Sequence, residues 1–235
     1  MQILVTGAAG FIGFHLVNKL LKLGHWVVGI DCINDYYSVN IKYARLAECG
    51  IFPDKKSKKK YVISKKYKNY LFYEEDILNL KELDYIYKQH QFDVVCHLAA
   101  QTGVRYSKEK PLSYIKNNIT GFSYVIELAK KHKVKKFLFA SSSSIYNSTE
   151  KKFTLNQNSD KPKSLYAATK KTNELVAYSY SNTFGLPVIG FRFFSVYGTW
   201  GRPDMAYFKF TKSILNGNEI NLYDRGMGMR DFTYI

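Results

Sequence analysis

The chain has 235 residues, of which 46% are hydrophobic, and a formal net charge of +16 at pH 7. That is enough apolar material for a large core, and ordinary counts of 15 Gly and 5 Pro exclude a disordered or collagen-like chain. The scattered, odd-numbered cysteines Cys32, Cys49 and Cys96 argue against a disulfide framework or a metal site, which suits a reducing cytoplasm. No apolar run reaches membrane-spanning length, and no secretory leader precedes the first strand. Half of the charge excess sits between Lys55 and Lys68, where eight lysines fall. This reads as a solvated surface insertion rather than a nucleic-acid groove, although a basic surface helps collect an anionic substrate.

In chain order, Ile3-Leu4-Val5 reads as a first strand, followed by a helix over 11–23 that stops at Gly24. A second strand over 26–30 ends at Asp31. A helical segment over 40–49 precedes the Lys-rich loop. Then come a strand at 70–73, a helix at 80–89, a strand at 94–98 and a long helical pattern over 112–132. A fifth strand at 137–140, a helix over 164–183 and a sixth strand at 188–193 complete the alternation. Strands alternating with helices predict an α/β fold with a doubly wound parallel sheet of the Rossmann type, whose strand ends line up along one ligand-binding edge. After 193 the rhythm changes, with a helix expected over 205–215 and a strand over 220–223. The expected division is therefore 1–193 for the nucleotide-binding domain and 194–235 for the start of a smaller substrate domain.

Gly7, Gly10 and Gly13, with Phe11 and Ile12 between them, lie between a strand and a helix. Such glycines permit a tight turn, a close approach to a pyrophosphate and helix–sheet packing, with the helix N-terminus offering N–H donors. Asp31, 18 residues after Gly13, ends the second strand. A carboxylate there accepts ribose hydroxyls and repels a 2′-phosphate, so NAD is expected over NADP. Asp76-Ile77 follows the third strand, where an adenine edge is read or a turn is formed. Ala99 is small enough for close cofactor approach. His97 is as readily a packed core histidine as a functional one. Tyr166 and Lys170, four apart on a helix, share a face. A nearby ammonium favours the phenolate and would bring Tyr166 below its free pKa of about 10.

The glycine spacing, the run Ser141-Ser142-Ser143-Ser144 and Tyr166-x-x-x-Lys170 resemble the extended short-chain dehydrogenase/reductase, or NAD-dependent epimerase/dehydratase, family. The stretches Asn34-Asp35-Tyr36-Tyr37, HLAAQTGVRY from His97 and RFFSVYGTWGRPDMA from Arg192 narrow it to a resemblance to UDP-glucuronate 4-epimerases. The resemblance implies Tyr166 as base, Lys170 as its helper on the nicotinamide ribose, and Ser142 as the hydroxyl on the reacting sugar oxygen. It implies Ser195 and Arg202 on the uronate carboxylate, Arg230 on the diphosphate and Asn118 as structural. Ser143 and Ser144 stand where dehydratases carry an acid pair, which disfavours dehydration. Ser195 stands where the family usually has Thr, and Asn147 where it usually has Gly. Members continue past the equivalent of Ile235 with more strands and helices, which leaves this chain short by roughly a third of a substrate domain. The implied reaction interconverts UDP-glucuronate and UDP-galacturonate through a 4-keto sugar, in a cytoplasmic homodimer with no membrane or nucleic-acid partner. Another sugar-nucleotide epimerase or decarboxylase of the same fold, or an inactive truncated NAD-binding relic, are the alternatives.

Overall fold

The computed structural model describes residues 1–53, 60–146, 152–222, 226–227 and 229–235. Lys55, Lys56, Lys58 and Lys59 of the basic stretch, together with Asn147 and Tyr223, lie outside those residues. The elements in order are β1 (Gln2–Thr6), α1 (Phe11–Lys22), β2 (Trp26–Asp31), α2 (Val39–Glu48), β3 (Val62–Ile63), β4 (Tyr70–Glu74), α3 (Leu80–Gln89) and β5 (Val94–His97). Next come α4 (Tyr106–Glu109), α5 (Pro111–Tyr114), a π-helical run Ile115–Gly121 and α6 (Phe122–Lys131). The rest are β6 (Lys136–Ser142), α7 (Leu165–Phe184), β7 (Val188–Phe193), β8 (Ser195–Tyr197), α8 (Ala206–Leu215) and β9 (Phe232–Tyr234).

The main sheet runs β3-β4-β2-β1-β5-β6-β7, parallel throughout except for the short antiparallel β3 at one edge. β1 has β2 on one side and β5 on the other, so the strand order reverses there. The crevice at its C-terminal end is the expected ligand seat of such a sheet. Alternation along β1 sends Leu4 to one face and Ile3 and Val5 to the other. Leu4 joins Val125, Ile126 and Ala129 of α6, while Ile3 and Val5 join Phe14, Val17 and Leu21 of α1. Burying each of these large apolar side chains contributes about 1.5–3 kcal/mol, so helices on both faces hold the strand ends in place. A separate two-stranded sheet pairs β8 with β9 in parallel.

Two expectations need correction. Residues Ile220 to Leu222 form no strand; β9 supplies the partner of β8 instead. The helical pattern over 112–132 is one path made of α5, the π-helical run and α6. The wider turn surrounds Asn118, whose backbone carbonyl accepts from Asn173 Nδ2 at 2.6 Å. Among the described residues no helix is long and apolar enough to cross a membrane.

Candidate active site

A cavity of about 1990 Å³ opens along the C-terminal edge of the sheet. Ligand pockets are typically about 300–1,000 Å³, so this one has room for two ligands side by side. Every residue singled out above for cofactor or substrate lines it: the glycine loop, Asp31, Asp76, Ile77, Ala99, Ser142, Tyr166, Lys170, Ser195, Arg202 and Arg230.

The glycine loop forms the floor. Gly7 has φ +72°, and a Cβ there would stand 2.9 Å from the backbone nitrogen of Ala99. A Cβ on Gly13 would collide with the Gly7 carbonyl oxygen. Both positions therefore need glycine. The N-terminus of α1 has no side-chain cap, which leaves its first N–H groups available to an anion. Thr6 braces the opposite wall: its hydroxyl accepts from the Leu98 and Ala99 N–H groups at 3.2 and 3.1 Å. His97 Nδ1 shares a hydrogen bond with the same hydroxyl at 2.8 Å. Burial holds the His97 pKa down at about 3, so it is a neutral core histidine. Asp31 is fixed by the N–H groups of Ala9 and Ile33, each at 3.1 Å. Burial raises its pKa against the pull of Lys42. Lys42 Nζ is itself engaged with the backbone and side-chain oxygens of Asn34, both at 2.7 Å. Asp76 forms a turn, accepting from Leu78 N–H at 2.9 Å, and lines the cavity as well. Glycine cradle, uncapped helix and anchored carboxylate together fit a dinucleotide.

The other end carries the polar side chains. Ser142 ends β6, and its Oγ accepts from the N–H and Oγ of Ser144 at 3.2 and 2.9 Å. Tyr166 lies in the first turn of α7, which Ser164 caps by accepting from Ala167 N–H at 3.1 Å. Lys170 is buried, and its Nζ donates to the Ala140 carbonyl at 2.8 Å. Burial lowers its pKa to about 8. The expected depression of Tyr166 by Lys170 is not what this geometry gives. Burial raises the Tyr166 pKa, while the Ser142 hydroxyl and the Arg202 charge pull it down. Arg202 is forked onto Asp204, with Nε to Oδ1 at 3.0 Å and Nη2 to Oδ2 at 2.5 Å. Tyr36 donates to that same Oδ2 at 3.2 Å. Ser195 opens β8, its N–H bonded to the Asp231 carbonyl at 3.2 Å. Arg230 is exposed at the rim and donates to the carbonyl of Met229 at 2.7 Å.

Sequence reasoning missed several residues here. Asp204 and Tyr36 fall inside stretches quoted above, but only their chain separation of 168 residues, closed by the fold, makes them a pair. It also missed a brace beneath Ser142. Glu174 accepts from Ser141 Oγ at 2.6 Å and from Arg192 Nε and Nη2 at 2.9 Å each, tying the end of β6 and of β7 to α7.

Fold and site define a nucleotide-binding α/β protein of the Rossmann class, with a Ser, a Tyr and a Lys gathered at the sheet's C-terminal edge. More narrowly, the chain belongs to the NAD dependent epimerase/dehydratase family, whose model matches residues 3–235. It is 48% identical to Protein CapI of Staphylococcus aureus, over all of this chain and 66% of that protein. It is 44% identical to a UDP-glucuronate 4-epimerase of Thermodesulfobacterium geofontis, over 99% of this chain and 67% of that one. A crystal structure of UDP-glucuronic acid 4-epimerase from Bacillus cereus, in complex with UDP-glucuronic acid and NAD, superposes with a TM-score of 0.86 at 34% identity. That match covers all of this chain and 69% of the other. The chain thus spans about two thirds of the length of these relatives.

Proposed function

We propose that this protein is a sugar-nucleotide epimerase that binds NAD and interconverts UDP-glucuronate and UDP-galacturonate. The carrying observation is that Ser142, Tyr166, Lys170 and Arg202 line one cavity together with the glycine cradle. Residues 1–193 serve as the cofactor domain and 194–235 as part of the substrate domain. The glycine loop and the α1 N-terminus hold the pyrophosphate, and Asp31 holds the adenosine ribose. NAD, when bound, supplies the hydride chemistry at the sugar C4. Tyr166 takes the proton from the 4′-hydroxyl and later returns it. Ser142 hydrogen-bonds the reacting oxygen and favours the phenolate. Lys170 would hold the nicotinamide ribose, and it ties α7 to β6 through the Ala140 carbonyl. A 4-keto uronate is a β-keto acid and loses carbon dioxide readily when its carboxylate bond aligns with the carbonyl. Arg202, with Ser195, holds the carboxylate out of that alignment. Ser143 and Ser144 offer no acid pair for water elimination. Arg230 at the rim meets the diphosphate. The exposed Leu175 and Tyr178 of α7 suit a homodimer through α6 and α7.

One observation favours a second reading, a neutral UDP-hexose as substrate: Asp204 already occupies the Nε and Nη2 of Arg202. Incubating the protein with NAD and UDP-glucuronate, then resolving the uronate epimers by chromatography, tests the first reading. UDP-galacturonate is the expected product. Its absence from a folded, NAD-binding protein overturns the reading. The variant Arg202→Ala separates the two substrates. For a uronate enzyme it costs about 10–100-fold more in kcat/KM with UDP-glucuronate than with UDP-glucose, the worth of the charged hydrogen bonds to the carboxylate.

A further inference from the structure

Arg45 of α2 is fully buried, at 0% exposure. Its hydrogen bonds among the described residues all go to neutral acceptors. Nη1 donates to the Ala9 carbonyl at 3.0 Å and to the Tyr37 hydroxyl at 2.7 Å. Nε and Nη2 both donate to the Trp200 carbonyl, at 3.1 and 2.6 Å, and Nη2 also reaches the Gly201 carbonyl at 3.2 Å. A buried cation bonded to no carboxylate is costly, and an apolar side chain would fill this helix face without that cost. What the arginine adds is a junction. Ala9 belongs to the glycine cradle, Tyr37 to the loop after β2, and Trp200 and Gly201 directly precede Arg202.

The turn it grips needs gripping. Trp200 has φ +59°, a left-handed conformation that a bulky residue holds only when its surroundings impose it. From α1, the Phe14 ring packs edge-on against Trp200 at 5.7 Å, and His15 Nε2 lies 2.9 Å from the Thr199 carbonyl. The turn carrying Arg202 is therefore docked on the back of the cofactor loop, with Arg45 at the centre of the joint.

We infer that Arg45 is a positioning residue: by clamping the 199–201 turn onto the glycine cradle it aims Arg202 into the sugar end of the cavity. The inference rests on the uronate reading of Arg202 proposed above. The test is calorimetric titration of UDP-glucuronate and of UDP-glucose into the wild type, Arg45→Lys, Arg202→Ala and the double variant. Each is first checked for a cooperative thermal transition. Lysine keeps the charge but not the fork. Arg45→Lys is expected to weaken UDP-glucuronate binding about 10-fold or more, as the loss of charged hydrogen bonds implies, and UDP-glucose binding less than about twofold. In the Arg202→Ala background the same substitution is expected to cost less than about twofold, because the two residues act as one unit. Equal losses for both sugars, or the full loss repeated without Arg202, would mark Arg45 as merely structural and overturn the inference. A wild type that binds UDP-glucose but not UDP-glucuronate would instead sink the uronate reading, and the inference with it. If Arg45→Lys does not fold, His15→Ala decides, since it loosens the same turn from the other side. A selective loss for the uronate supports the joint, and an unselective or absent loss refutes it.

Discussion

Lys170 shows how a single buried group links stability to chemistry. Its pKa of about 8 in the folded chain lies below its ordinary value of 10.5. Between those two values the unfolded chain binds more protons than the folded one, so stability rises as pH climbs through that window. At neutral pH the folded state carries a buried ammonium held by one carbonyl. Lys170→Met should therefore raise the stability of the fold at pH 7, by an amount on the order of 3 kcal/mol for a shift of this size, and remove the rise between pH 8 and 10. Urea midpoints at pH 7 and pH 10 check this: the wild type should gain and the variant should stay flat. A variant less stable than the wild type at pH 7 would mean that packing around the aliphatic stem outweighs the charge. Tyr166 carries the opposite lesson. From the sequence its pKa falls beside a lysine. In the fold, burial raises it, and the opposing partners are Ser142 and Arg202.

At the scale of elements, what the sequence reveals is what repeats or spaces itself regularly. The glycine loop, the strand ending at Asp31 and the helix bearing Tyr166 and Lys170 follow from local spacing, and all sit where the pattern predicts. The π-helical run is invisible because no residue in it forbids an ordinary helix. It exists because Asn118 bonds Gln101 and Thr169 through its side chain while giving its carbonyl to Asn173. Those bonds join the run to α7 on both sides of Lys170, at Thr169 and Asn173. Both asparagines are buried, at 1% and 2% exposure. Asn173→Ala should leave a buried carbonyl unpaired and destabilise the protein by about 1–3 kcal/mol, read from urea unfolding. A change below a few tenths would mean the wide turn closes to an ordinary one unaided. Arg45 was illegible for a related reason: an arginine on an amphipathic helix reads as solvent-facing until its acceptors, 155 residues downstream, are brought beside it. The opposite error, the strand expected over 220–223, came from a short apolar run whose described residues, 220–222, pair with no strand.

For the whole molecule, the proposed dimer gives the plainest check. Leu175 and Tyr178 on α7 are 59% and 72% exposed. Replacing Leu175 with Glu should turn a dimer into a monomer in sedimentation velocity while leaving the thermal transition cooperative. A wild type that sediments as a monomer removes the proposed interface altogether. The order of the sheet also has a consequence in time. β1 lies in the middle of the main sheet and is made long before its neighbour β5, so Thr6 meets His97 across 91 residues of chain. At synthesis rates of about 5–20 residues per second, one edge of that strand waits roughly 5–20 s for its neighbour. Until residues 94–97 have been made, the β5 edge of β1 stays unpaired, and the crevice at the end of β1 has only one of its two walls.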